Sequence, residues 1–381
     1  MKFAHIPVID QHAHNILKPE ILRDYPYAAA FTEAYDPNIL KYHETLFYRR
    51  SLRDMARLLD CEPTETVILE KREELGLEKL TELCFQSANI ESIFLDDGFL
   101  SQQILPLEWH QNFTTVYQLL RLEIVAENIF KETDNFESFF NQFLSQLNLD
   151  PPQPPLGRGE IRIIGFKSIA AYRTGLAIEF VSEKQAELSF YRLKDTYQHK
   201  SFRLMDKCLI DFLVTQALEI ASQRQIPVQF HTGFGDPDLN LLWANPLHLR
   251  PILEDSRYTN APIVLLHGSY PYTREAGYLA SVYPQVYVDF GLAVPSLSVS
   301  GMRETVRMLL ELSPISKIMY SSDAHLIPDL YYLGSLWGRE ILAQILETAI
   351  SDGDLTNQEV ENIAQLILRE NAHKLYQIKS M

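Results

Sequence analysis

Cysteine is scarce: Cys61, Cys84 and Cys208 are the three in 381 residues, and no two form a Cys-x-x-Cys pair. An odd, scattered set argues against a disulfide framework and suits buried thiols in a reducing compartment. Long apolar runs are missing as well. No stretch holds the about eighteen uncharged apolar residues of a membrane span, and the first residues reach Asp10 before any such run can form. Nor is there a lysine-arginine run. With 34 basic and 50 acidic residues the formal net charge is -16 at pH 7, so a polyanion would be repelled at long range. A cytoplasmic protein acting on a small-molecule substrate is expected, without nucleic acid or membrane as partner; a homo-oligomer is compatible with the composition.

What is present is a large core-forming fraction, 46% hydrophobic and 11% aromatic, enough for one elaborated barrel or two ordinary domains. Short β-branched-rich runs recur between longer amphipathic stretches, the pattern of a parallel sheet wrapped by helices. Eight strands are predicted: Val8 to His14, Ile90 to Leu95, Thr115 to Ile124, Ile163 to Ile169, Val228 to His231, Ile263 to His267, Val286 to Phe290 and Lys317 to Ser321. A helix is predicted from Arg203 to Gln225, where Leu204, Cys208, Phe212, Ala217 and Ile220 recur at helical spacing. Thr356-Asn357-Gln358-Glu359 fits a capping box opening a long helix to about Tyr376. Residues 18–85 read as a charged helical insertion capping one barrel end, too long for a βα loop. The run Asp150-Pro151-Pro152-Gln153-Pro154-Pro155-Leu156-Gly157 reads as a stiff exposed connection inside a single domain of residues 1–381.

Alternation in the first strand would project Asp10, His12 and His14 to one side, where two imidazoles can share a cation. A lone His-x-His is a modest signal. Three later strands also finish on a ligand-type residue, at His231-Thr232-Gly233, His267-Gly268 and Ser322-Asp323-Ala324. Parallel barrel strands point their C-terminal ends at one mouth, so His12, His14, His231, His267 and Asp323 would converge. Lys167, ending the fourth strand, would aim there too. A divalent metal, with Zn2+ favoured by such donors, would lower the pKa of bound water from 15.7 to about 7.

These marks, with the closing Arg369-Glu370-Asn371-Ala372-His373-Lys374-Leu375-Tyr376, resemble the amidohydrolase superfamily, in particular its second amidohydrolase family and the barrel domain fused to glutamine-synthetase-like modules. The resemblance implies an α/β fold, a (β/α)8 TIM barrel, here with a helical insertion after strand 1; the seven residues before the first strand leave no room for a separate β-sandwich domain. It also implies a metal-dependent amidohydrolase cleaving a C–N bond of a small substrate, with a carboxylate on that substrate as one form. Asp323 would be a ligand and the general base. In a two-metal version Lys167 carries a bridging carbamate and His231 and His267 hold the second cation; with one metal, His12, His14, His231 and Asp323 are the ligands and His267 polarises the scissile carbonyl. A metal-dependent decarboxylase or other lyase, and a non-catalytic ligand-binding barrel, are the rival readings.

Arg173 could clamp a substrate carboxylate, and Tyr270 and Trp243 are aromatics placed near the mouth. Asp289 could support a ligand, Asp96 reads as a cap or turn residue beside Asp97, His325 could line the pocket, and Glu123 is placed on the third strand. His5, His43, His110, His199, His248 and His373 lack a strand-end context and are expected in packing or on the surface.

Overall fold

The computed structural model describes residues 2–34, 38–148, 161–197 and 202–378; the proline-rich connection and His199 lie outside them. Eight strands follow one another as β1 (Val8–His14), β2 (Ile90–Asp96), β3 (Thr115–Arg121), β4 (Arg162–Ser168), β5 (Val228–Phe230), β6 (Ile263–Leu265), β7 (Val286–Asp289) and β8 (Ile318–Met319). They pair in chain order, all parallel. Past the two-residue β8 the chain returns to β1 through main-chain bonds. Asp323 N–H donates to the His12 carbonyl at 3.0 Å and His14 N–H to the Ala324 carbonyl at 2.7 Å. The fold is a nearly closed (β/α)8 TIM barrel, and among the described residues all strands of the sheet belong to it.

Several strands stop short of their predicted ends. β3 gives way at Leu122 to the helix Leu122–Glu132, which buries Leu122, Ala126, Ile129 and Phe130 at helical spacing. Glu123 therefore sits in the first turn of a helix, not on the third strand. A short apolar run cannot by itself separate a buried strand from a helix start, which is why the boundary was missed. The predicted helix over 203–225 is found at Lys207–Arg224, begun by the Asp206 side chain accepting from Leu209 N–H and ended at Gln225 in a left-handed conformation.

Two cores result. Inside the barrel Ile9, Phe94, Leu119, Ile164, Val264, Leu266 and Met319 pack together, and Tyr376 closes the floor beneath them. The closing segment is less regular than predicted. Thr356 N–H and its hydroxyl both donate to the Glu359 carboxylate, at 2.8 and 2.7 Å, so the glutamate half of the box forms. The path then runs as α-helix Val360–Gln365, a π-helical turn Leu366–Glu370 and α-helix Asn371–Leu375. Asn371 donates to the carbonyls of Ile315 and Ile318, both at 2.8 Å, and so ties this segment to β8.

Between β1 and β2, residues 25–34 reach the barrel mouth, while Leu80, Cys84, Phe85 and Ala88 of the helix Glu65–Ala88 are buried where it packs against the helix Asp329–Asp352. Asp329 accepts from Arg72 and from the Tyr27 hydroxyl, fastening the two parts of this segment to the barrel wall. No helix of the described residues is long and apolar enough to cross a membrane.

His110 is fully buried, its Nε2 at 2.6 Å from Asn15 Oδ1, and burial pushes the imidazole down to about 3. The unfolded chain takes up a proton there near pH 6.5 and the folded chain does not, so stability is complete above pH 6.5 and falls as pH falls. Between pH 6.5 and 5 the loss from this group should be about 2 kcal/mol. Urea unfolding at the two pH values, in wild type and His110→Gln, checks this; an equal pH dependence in both proteins would refute it.

Candidate functional site

β1 does not alternate evenly. Its register against β2 shifts between Asp10 and Ala13, so one extra residue bulges there. Ile9 faces the barrel interior, and the Gln11 side chain meets Gln229, Asp289 and Tyr376 there. Asp10 turns instead to Ser322, accepting from its N–H at 2.8 Å and from its hydroxyl. The expectation that Asp10 joins the two histidines is thus corrected: the bulge changes the phase, and His12 and His14 arrive at the mouth without it. Asp10 holds the β8 turn that carries Asp323.

At that mouth His12 Nε2 lies 3.0 Å and His14 Nε2 3.6 Å from Asp323 Oδ1. One donor atom from each of His12, His14 and Asp323 lies within 4.8 Å of the others. Lys167 Nζ is 3.1 Å from His12 Nε2. His231 and His267 reach the same place but face each other, Nδ1 to Nε2 at 2.9 Å, and His231 Nε2 meets the Phe234 carbonyl at 3.0 Å. His267 Nδ1 is 4.0 Å from Asp323 Oδ2. His267 and Asp323 both have positive φ, 68° and 54°, a conformation costly for such residues and concentrated at functional sites.

Burial drives the four imidazoles toward the neutral form, His14 to about 3 and His12, His231 and His267 also downward. Neutral imidazole is the form that binds a metal. Burial would raise Asp323, but His267, His12 and His14 crowd its carboxylate and keep it ionised. Lys167 is buried, which brings its amine down to about 8. His12 Nδ1 and His267 Nδ1 are buried without a hydrogen-bond partner. Buried polar atoms are rarely left so, and unpaired donors of this kind on a His/His/carboxylate set fit a divalent cation.

Around these groups the chain builds supports that sequence reasoning read otherwise. Asp96 is no simple cap: Arg121 grips it through Nε and Nη2 at 3.0 and 2.7 Å, and its carbonyl lies 3.1 Å from His14 Nδ1. Asp289 accepts from His267 N–H and from Gln11, each at 2.7 Å, the supporting position expected for it. Glu123 accepts from the Ser168 hydroxyl at 2.7 Å and Ile169 N–H at 3.0 Å, fixing the chain just beyond Lys167.

A cavity of about 410 Å³ opens over the site, lined by His14, Lys167, His231, His267 and Asp323 below and by Tyr25, Glu33, Arg121, Tyr172, Arg173 and Asp236 among others above. His325 lines it as expected. Arg173 is there too, but its Nη2 is 3.1 Å from Glu127, so the guanidinium already has a carboxylate. Tyr270 and Trp243 are not among the lining residues; Tyr270 packs on Phe234 at 5.4 Å between ring centres, and Trp243 is about half exposed against Gly175. Glu33, Asp236 and Tyr172 escaped the sequence reading because none ends a strand.

Residues 194–378 match the family model described as amidohydrolase. The matched residues include His231, His267 and Asp323, so the later part of the site lies in the stretch that is similar to amidohydrolases. Protein fluG of Emericella nidulans is 29% identical over 98% of this chain and 46% of its own length, so the chain spans less than half of that curated relative. A protein of Lactobacillus casei, provisionally named a metal-dependent hydrolase, superimposes on this barrel with a TM-score of 0.83 at 27% identity, covering 98% of this chain and 96% of the other. A uronate isomerase of Bacillus halodurans shares the fold with a TM-score of 0.62 at 15% identity, over 99% of this chain and 94% of its own.

Proposed function

We propose that this barrel is an amidohydrolase that cleaves a C–N bond of amide type in a small molecule, using a divalent metal held by His12, His14 and Asp323, with His231, His267 and Lys167 completing the site. The observation that carries the reading is the convergence of that trio, with unpartnered buried donor atoms, on the floor of a cavity. A divalent cation with an open position, Zn2+ being favoured by imidazole and carboxylate donors, makes water nucleophilic near pH 7. Asp323 is the base: its ionised carboxylate takes the proton of the attacking water and returns it to the leaving amine. His267, fixed through its own N–H by Asp289, stands beside Asp323 where it can polarise the scissile carbonyl.

Lys167 decides between one metal and two. Its amine is buried against His12, and addition of CO2 with loss of a proton would turn it into a carbamate able to bridge two cations and would remove the cost of a buried ammonium. Metal per chain should then fall by about one equivalent in Lys167→Met, measured by mass spectrometry of the purified proteins, and unchanged stoichiometry would sink the carbamate. Release of CO2 without amine from a cleaved substrate would overturn the hydrolase reading in favour of a lyase.

A further inference from the structure

The strand order divides the cavity wall into two arcs of different chemistry. β3, β4 and β5 are neighbours, and Arg121, Arg173, Arg203 and Asp236 come from their ends or from the segments that follow them, with Ile124 and Ile169 as aliphatic exceptions. Across the mouth stand β7, β8, β1 and β2. To the wall they add Leu292 after β7, Leu326 after β8 and Phe99 after β2. Outside the metal site, Glu33 is the one carboxylate among the described residues of this second arc that line the cavity, and no lysine or arginine joins it there.

The two leucines are held in place against their backbone preference. Leu292 has φ 57° and ψ -55°, and Ala293 N–H donates to the Gly291 carbonyl at 2.6 Å, closing around it a γ-turn of the rare, strained hand. Gly291 leaves no slack, since a Cβ there would meet Ser321 Oγ at 1.9 Å. Leu326 has φ 63°; its N–H donates to the Asn15 carbonyl and its carbonyl accepts from Leu17 N–H, both at 3.0 Å. A bulky side chain in the left-handed region is uncommon, and such strain concentrates at active sites and ligand clamps. Each apolar group also stands next to the reacting centre. Leu292 N–H points to the Ser322 carbonyl at 3.5 Å, one residue before Asp323, and Leu326 follows Asp323 by three residues. The Phe99 ring lies 5.5 Å from the His14 ring, centre to centre. What meets a wall that begins at the metal-site residues is the molecule being turned over.

We propose that Phe99, Leu292 and Leu326 form the subsite for an apolar group of the substrate, while the rest of the substrate faces the charged arc. The substrate class is then an amide with a compact branched aliphatic or aromatic group close to the scissile C–N bond. This rests on the hydrolase reading for the bond and on the cavity wall for the apolar group. The cavity, about 410 Å³, has room for a small molecule with both halves.

The test compares three amides on the metal-loaded protein: N-methylacetamide and the isomers N-isobutylacetamide and N-methylisovaleramide, which carry the same isobutyl group on the amine or on the acyl side. One isomer should exceed N-methylacetamide by about tenfold or more in kcat/KM, and the isomer preferred shows on which side of the bond the group belongs. Phe99→Ala, at a partly exposed residue, and Leu292→Gly, which removes a side chain together with its strain, should each remove most of that preference while circular dichroism shows a folded protein. Equal use of all three amides, a preference for N-methylacetamide, or a preference unchanged in both variants overturns the subsite. Should none of the three be cleaved, calorimetry with the same amides decides it separately from the hydrolase reading. Saturable binding of one isomer, tighter than that of N-methylacetamide by about tenfold or more and weakened in both variants, supports the subsite. Absence of saturation with both isomers, or equal binding of all three amides, overturns it.

Discussion

Asp323→Asn should lower turnover by about 10²–10⁴-fold while leaving the fold intact. Asparagine keeps the shape of the side chain and tolerates the left-handed conformation that Asp323 adopts at φ 54°. The Asp323 N–H bond to the His12 carbonyl, at 3.0 Å, closes the barrel through the main chain and is untouched by the change. What is lost is an anionic oxygen 3.0 Å from His12 and 3.6 Å from His14, which is both a ligand and the proton acceptor. Metal affinity should therefore fall together with kcat. Steady-state kinetics and metal analysis on the same preparation check this, and turnover near that of wild type would remove Asp323 from the chemistry.

Arg121→Met should cost about 3–5 kcal/mol of stability, because it leaves Asp96 as an unpaired buried carboxylate. Asp96 is fully buried, and the guanidinium holds it well below the usual carboxylate range against the opposing effect of burial. The main-chain oxygen of Asp96 also lies 3.1 Å from His14 Nδ1, so loosening this pair should weaken metal binding as well. The double variant Arg121→Met/Asp96→Asn removes the stranded charge and should recover most of the lost stability. Urea unfolding of the three proteins separates the outcomes; a single variant within about 1 kcal/mol of wild type would show that water or a neighbouring group replaces the arginine.

The candidate site was legible where it depends on the direction of single strands. His12, His14, His231, His267 and Asp323 each end an apolar run or follow it by a few residues, and parallel strands in a barrel carry such ends to one mouth. The terminal Asn371-Ala372 motif was legible as a mark and received its reason from the structure: Asn371 bonds two carbonyls at β8, and Tyr376 closes the barrel floor. The end of β3 was read too long because an apolar run looks alike as strand and as the first turn of a helix, whereas beyond Met319 the β8 run continues as irregular chain.

Sequence alone determined an alternation of strands and helices and which histidines and aspartate stand at the strand ends, because period and strand direction are local properties. Tertiary structure decided the rest. The β1 bulge that separates Asp10 from His12 and His14 exists through pairing with β2. Arg121 with Asp96 and Arg173 with Glu127 meet between separate strands and helices, a pairing that no local period encodes. Whether a charged side chain is matched or left for a ligand depends on what stands opposite it in space, and that is set by the packing of segments far apart in the chain.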